Sequence, residues 1–154
     1  MIKTPLITAA ALLLSSPFLF GSSAQGQVNP AGLKWGPAPP SLPPGAQATV
    51  LAGNPQSPGI FTIRLKFPPG YLVPPHSHPG DEYVTVISGQ LNFGMGSRVN
   101  RARAARLVPG GFVHTPARMN HYGFTRTGAV IQVTGQGPFT VKYVNPADDP
   151  RRRR

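Results

Sequence analysis

From Ile60 to Phe67 the chain alternates with a period of two, placing Phe61, Ile63, Leu65 and Phe67 on one face and Thr62, Arg64 and Lys66 on the other. That is the period of a half-buried β-strand, in which successive side chains point to opposite sides. The period returns in short bursts. Val84 and Val86 share a face with Glu82; Leu91, Phe93 and Met95 alternate with smaller or polar neighbours; Phe139, Val141 and Tyr143 alternate with Thr140 and Lys142. Between the bursts stand turn signals: Pro68-Pro69-Gly70, Pro79-Gly80-Asp81, Ser88-Gly89, Pro109-Gly110-Gly111 and Gly135-Gln136-Gly137. No window sustains an apolar helical period, and the best helix candidate is the short Asn100 to Arg106. Many short strands at regular spacing predict an all-β sandwich or barrel, and a barrel of this size can hold an interior pocket.

The ends of the chain read differently. Met1 to about Ala24 has a positive start at Lys3, a mostly apolar run from Ile7 to Phe20 and small residues at Ser22-Ser23-Ala24, the pattern of an export signal. An uncleaved anchor is the competing reading, but Pro17 breaks the run and its length falls short of the ~20 residues a spanning helix needs. The mature protein is therefore expected to begin near Gln25 or Gln27, in the periplasm or outside the cell, with no stable membrane anchor. Residues 25–59 form a proline- and glycine-rich arm carrying the first strand, and PAPPSLPPG within it forbids regular helix. Such an arm wraps a neighbouring subunit or lies along the body. The barrel is expected over 60–145, and 146–154 as a disordered basic tail.

The 154 residues have room for one domain. The formal charge of +11 raises nucleic acid or an anionic membrane as a partner. Without Lys3 and the terminal arginines Arg151 to Arg154, ten basic residues face four acidic ones, a net +6. Export and the lack of any helix-turn-helix or zinc-finger spacing argue against a nucleic-acid role. Arg98, Arg101, Arg103 and Arg106 read as a loop face, with attraction of anionic small molecules toward a nearby cavity as the alternative. The chain has no cysteine, which removes disulfides and thiolate chemistry.

The stretch PPHSHPGDEY carries the chemistry. His76 and His78 are two apart and so project to one side of a strand, Pro79-Gly80-Asp81 bends the chain, and Glu82 opens the next strand alongside them. One hairpin thus offers three metal ligands and leaves a place for a fourth. An isolated His-x-His is more often an idle surface loop. Here the frame is larger: Gly70, His76, His78, Glu82 and Gly89, with five, one, three and six residues between them, match at every specified position the first motif of the cupin superfamily. Over roughly Ile60 to Val144 the chain resembles a single-domain cupin. The resemblance implies a double-stranded β-helix (jelly-roll) barrel, a metal or small-ligand site within it, and a homodimer.

The second cupin motif fits in part in two registers. One takes Pro109, Gly111 and His114 but puts arginines, Arg103 and Arg118, where glycine and asparagine are specified. The other takes Gly110, Pro116 and His121, with Arg118 at the inner glycine and Thr125 at the asparagine. The second is preferred, because Pro116-Ala117 then turns the chain just before the ligand strand and 20 residues separate Gly89 from Gly110, against 13 in the first register. The expected ligand set is His76, His78, Glu82 and His121, and His114 becomes a hydrogen-bonded or surface residue. Arg118 strains or reshapes its turn. Three imidazoles and a carboxylate suit a divalent first-row metal, with iron, manganese, zinc, nickel and copper all open. Cupin resemblance leaves two classes of function: a metal-dependent oxidoreductase, dioxygenase-like, acting on a small oxygen-rich chelating substrate with Phe93 and Phe124 shaping the cavity, and a non-catalytic metal or small-ligand binding module. Asp81, the only other acidic residue before the C-terminal segment, is expected to be structural.

Overall fold

The computed structural model describes residues 27–152; the expected signal segment lies outside the described residues. Eleven strands follow in order: β1 (Gly36–Pro37), β2 (Gln47–Ala52), β3 (Gly59–Phe67), β4 (Leu72–Ser77), β5 (Glu82–Gly89), β6 (Leu91–Met95), β7 (Ala105–Leu107), β8 (Phe112–Thr115), β9 (His121–Phe124), β10 (Ala129–Gly137) and β11 (Lys142–Tyr143). They form two antiparallel sheets, one of six strands in the order β1-β2-β3-β10-β5-β8 and one of five in the order β11-β4-β9-β6-β7. The fold is all-β, as the alternation predicts. Among the described residues no helix is long and apolar enough to cross a membrane.

The period-two residues make the core. Phe61, Ile63, Leu65 and Phe67 of β3 are buried, and β10 lies beside them in the pairs Ile63↔Val133, Leu65↔Ile131 and Phe67↔Ala129. Val84 and Val86 of β5 flank β10 on its other side, in the pairs Val133↔Val84 and Ile131↔Val86. Each such side chain contributes about 1.5–3 kcal/mol on full burial. Leu91 and Phe93 of β6 and Val73 of β4 close the same cluster from the five-stranded sheet.

Two local expectations are corrected. Asn100 to Arg106 is not a helix. The Asn100 side-chain oxygen accepts the N–H groups of Ala102 and Arg103, at 3.1 and 3.2 Å, and fixes a turn that leads into β7. Such a local bond competes with helix formation. Gly135-Gln136-Gly137 is not a turn but the end of β10, paired with Phe61, Ile60 and Gly59. A Cβ on Gly135 would sit 3.1 Å from the Phe61 ring, so the glycine here makes room for an aromatic core residue.

The frame around PPHSHPGDEY is bounded by glycines in left-handed conformation. Pro68 to Tyr71 is a tight turn, closed by Tyr71 N–H to Pro68 O at 3.3 Å, with Gly70 at φ 79°. Gly89, at φ 73°, ends β5 where a Cβ would collide with the Gly128 carbonyl. Only glycine meets both demands.

Residues 146–152 of the expected disordered tail are ordered. Residues 146–152 form two 3-10 turns, Pro146–Asp148 and Pro150–Arg152. Arg151 pairs with Asp149 at 2.8 Å and donates to the Val141 carbonyl at 2.9 Å, which is why this part of the expected disordered tail is fixed; Arg153 and Arg154 lie outside the described residues. The proline-rich arm lies along the body. Tyr71 and Tyr143 hold it by donating to the carbonyls of Pro43 and Ser41.

Arg118 stands alone among the described non-glycine residues in having a positive φ, 65°. It occupies the third position of the turn Pro116 to Met119, closed at 3.1 Å, and its N–H donates to the His78 carbonyl at 2.8 Å. That conformation costs an L-residue roughly 1–2 kcal/mol, partly offset by the greater freedom of glycine in the unfolded chain. Arg118→Gly is expected to raise stability by up to about 1 kcal/mol, read as a higher urea midpoint at unchanged slope. A lower midpoint would mean that the arginine is not strained there.

Candidate metal centre

Four polar groups from three places in the chain meet inside the barrel. His76 lies on β4, His78 just beyond its end, Glu82 at the first position of β5, and His121 at the first position of β9. β4 and β9 pair antiparallel with His76 opposite His121, so the five-stranded sheet carries the histidines side by side. Glu82 comes from the six-stranded sheet. All four are buried, with exposures of 5%, 5%, 7% and 1% respectively. The nearest ligand atoms of the three histidines lie within 4.8 Å of one another, a group able to hold a metal ion. Glu82 oxygens stand 3.1 Å from His121 Nε2 and 3.6 Å from His78 Nε2.

The orientation of the rings is set by the main chain. His76 Nδ1 is 2.7 Å from the Pro74 carbonyl, His78 Nδ1 2.8 Å from the Thr140 carbonyl, and His121 Nδ1 3.0 Å from the Met119 carbonyl. A carbonyl can only accept, so each Nδ1 carries the proton and each neutral ring turns a bare Nε2 inward. His78 Nε2, His121 Nε2 and Glu82 Oε2 are buried with no hydrogen-bond donor. A lone pair 3.1 Å from a carboxylate oxygen, with no proton between them, is repulsive in a low-dielectric interior. A shared cation turns the same geometry into a coordination shell, with carbonyl-bound Nδ1–H groups as its outer support.

Protonation is disfavoured as the alternative. Burial, then the neighbouring His121 and His78, pushes His76 down from 6.5 to about 3. Burial also lowers His78, although Glu82 and the Thr140 carbonyl pull the other way. For Glu82 burial favours the neutral acid, but the facing His121, with His78 and His76, outweighs it and holds the carboxyl below its ordinary range. The Nδ1 contacts to main-chain carbonyls turn three Nε2 atoms toward the Glu82 carboxylate, a donor set that fits a divalent first-row metal.

Aromatic rings hold the imidazoles in place: Phe139 stacks on His78 at 4.1 Å and Phe93 on His121 at 5.3 Å. The four groups line a cavity of ≈ 140 Å³ whose other walls are mostly aliphatic and aromatic. Phe93 lines it, as expected. Phe124 does not. Three residues on from His121, it points to the opposite face of β9 together with Tyr122, where Arg101 lies 4.5 Å above its ring and Asn100 bonds the Tyr122 hydroxyl. Arg101 and Arg106 share that outer face with Arg126, so they line a groove across the sheet from the cavity.

His114 is placed by register. β8 pairs with β5 as Glu82↔Thr115 and Tyr83↔His114, so an inward Glu82 puts Thr115 inside and His114 outside. There His114 stacks on Tyr83 at 4.7 Å and bonds Asp81 at 2.9 Å, both partners exposed. Asp81 also accepts from Ala117 N–H at 2.9 Å, tying the turn before Glu82 to the turn before His121. Its hydrogen bond to His114, then that to Ala117, holds the Asp81 carboxyl below the usual range. Its structural role is as expected. Sequence reasoning missed Thr115, whose buried hydroxyl faces inward opposite Glu82, and the arm residues Ser41 and Leu42 at the cavity; neither has a local pattern that marks it.

The family model described as Cupin domain matches residues 63–134, a segment that contains all four groups. Germin-like protein 1 of Brassica napus is 31% identical over 85 residues, 52% of this chain and 41% of that protein. The Rhicadhesin receptor of Pisum sativum is 32% identical over 88 residues, 54% of this chain and 41% of that protein. The chain thus spans about two fifths of the length of these curated relatives. Among solved structures, the polyketide cyclase RemF from Streptomyces resistomycificus has a TM-score of 0.64 at 17% identity, covering 82% of this chain and 90% of its own. A protein from Methylibium petroleiphilum proposed to be an acetylacetone dioxygenase has a TM-score of 0.60 at 17% identity, covering 97% and 90%. Those two likenesses are of fold.

A histidine whose folded pKa is depressed excludes a proton that the unfolded chain binds, so between about 3 and 6.5 stability rises with pH. The lowered Glu82 has the same sign, losing stability as acid protonates it. Metal-stripped protein is expected to have a lower thermal midpoint at pH 5 than at pH 7.5, and His76→Gln to flatten the difference. Equal midpoints for the unsubstituted protein would contradict the neutral, buried His76.

Proposed function

We propose that this protein, whose residues 63–134 match the family model described as Cupin domain, is an exported metal-dependent oxidoreductase, dioxygenase-like, acting on a small oxygen-rich chelating molecule. One observation carries the reading: His76, His78, Glu82 and His121 are the only titratable side chains among the described residues that line the cavity. A molecule transformed there is therefore activated by what those four groups hold. Their Nε2 atoms and the Glu82 carboxylate would bind a divalent ion. Such an ion supplies a Lewis acid for a chelating substrate and, if it is iron or manganese, one-electron chemistry with dioxygen.

The rest of the work belongs to the protein. Three neutral imidazoles and one carboxylate leave a divalent centre with a net charge near +1, which attracts an enolate, a carboxylate or a related oxygen anion. The aliphatic walls exclude water and strengthen that attraction. Phe139 and Phe93 keep His78 and His121 from turning. The cavity volume of ≈ 140 Å³ favours a molecule about the size of benzene, since an apolar cavity of roughly 150 Å³ accepts one. The fold neighbour proposed to act on acetylacetone, a small diketone, fits the same size class.

A second reading is a binding module on the same barrel, favoured by a relative, 32% identical over 88 residues, that is named a receptor. Metal analysis and oxygen uptake separate the readings. Purified protein is expected to retain a first-row metal, and His76→Ala or His121→Ala to lower its affinity more than about a hundredfold, since loss of an outer-shell partner alone typically costs ~10–100-fold. Unchanged metal content in His76→Ala would sink the site. Oxygen consumption with small enols, diketones or catechols supports the enzyme, and none with any metal supports the module. The export reading predicts a mature chain beginning near Gln25 or Gln27, and N-terminal sequencing that finds Met1 on the exported protein rejects cleavage.

A further inference from the structure

The cavity is closed on one side by the arm. Residues 38–46 form a loop pinned at its neck by Ala38 N–H to Ala46 O at 3.0 Å and turned at its tip by Leu42 N–H to Pro39 O at 2.9 Å. The Tyr143 hydroxyl donates to Ser41 O at 2.7 Å, and the Tyr71 hydroxyl to Pro43 O. The residue between those two held carbonyls is Leu42. It packs against the core cluster and lines the same cavity as the four polar groups, together with Pro39 and Ser41.

The loop is built to keep its shape. Pro39, Pro40, Pro43 and Pro44 fix four φ angles, so little chain entropy is lost when it seats. It is not packed solidly on both sides. A second cavity, of ≈ 650 Å³, lies between it and Leu72, Pro74, Asp148 and Pro150. Tyr143 connects the loop to the site, because its strand β11 pairs with β4 in the register Tyr143↔His76. Core packing alone does not require two phenol hydroxyls on adjacent carbonyl positions of a surface loop, and neither tyrosine hydroxyl has any other hydrogen bond among the described residues.

We propose that residues 38–46 are a lid over the site, that Leu42 sets the size of molecule that reaches the four polar groups, and that the hydroxyls of Tyr71 and Tyr143 are its latches. The proposal rests on the cavity being where the substrate binds. It does not require that a metal be retained, and its test is arranged accordingly.

The full chain, both stripped of metal and after reloading with metal, is titrated with benzene and with naphthalene, followed by the methyl resonances of Val133 and Ile131. The unsubstituted protein takes up benzene and binds naphthalene at least about tenfold more weakly, Leu42→Ala brings the two within about threefold, and Leu42→Trp loses benzene, steps of the size that a few methylene groups produce in an apolar pocket. The same discrimination in Leu42→Ala as in the unsubstituted protein, or no benzene uptake by either, overturns the lid. Because Leu42→Ala also removes a packing contact, Tyr71→Phe combined with Tyr143→Phe keeps the rings and deletes only the latches. This variant exchanges benzene several-fold faster at unchanged ring-size preference; unchanged exchange overturns the latches. Size selection in stripped protein alongside a failure to retain metal would sink the metal reading and leave the lid standing.

Discussion

Three main-chain carbonyls decide what the interior of this barrel can do. By taking the Nδ1 protons of His76, His78 and His121 they leave three lone pairs and one carboxylate facing each other in a space with few other polar groups. Two of those carbonyls, of Pro74 within β4 and Met119 just before β9, lie two residues before the histidine they orient, so the local chain builds in the aim. The third, of Thr140, comes from the segment that leads into β11 and joins His78 to the far end of the sequence. Turn geometry serves the same end. The strained Arg118 directs its N–H to the His78 carbonyl and sets down His121 three residues later.

Much of this is legible in the sequence, for identifiable reasons. The period of two in Ile60 to Phe67 survives into the structure because one face is buried, and a slip of one residue would expose all four apolar side chains. The spacing of Gly70, His76, His78, Glu82 and Gly89 is legible because backbone conformation fixes it: left-handed φ at either end and a bend between ligands. The choice of His121 over His114 rests on loop length, and the β5–β8 register supplies the physical reason, since an inward Glu82 forces His114 outward.

What was not legible depends on distant contacts. Phe124 looks like a cavity residue until β9 proves to be buried on both faces, one of them by the turn at Asn100 and Arg101. Gly135 to Gly137 looks like a turn until the Phe61 ring claims the space a side chain would fill. The sequence leaves open whether the arm wraps a neighbouring subunit or lies along the body, because its hold on the barrel comes from two phenols remote from it in sequence, and a hydrogen bond to a main-chain carbonyl leaves no trace in the identity of the residue that accepts it. Fold places the site but does not choose its chemistry. A polyketide cyclase and a protein proposed to be a dioxygenase share this architecture.

The four converging groups also straddle the molecule: His76 and His121 belong to the five-stranded sheet, with His78 just beyond the end of β4, and Glu82 to the six-stranded one. An ion held by all four would act as a rivet through the sandwich. Affinity and foldedness then become one quantity viewed from two sides, because anything that parts the sheets also parts the ligands. A substitution in the apolar layer between Val133 and Leu91, far from any donor atom, would register as weakened metal binding, and a chelator would lower the stability of the folded chain.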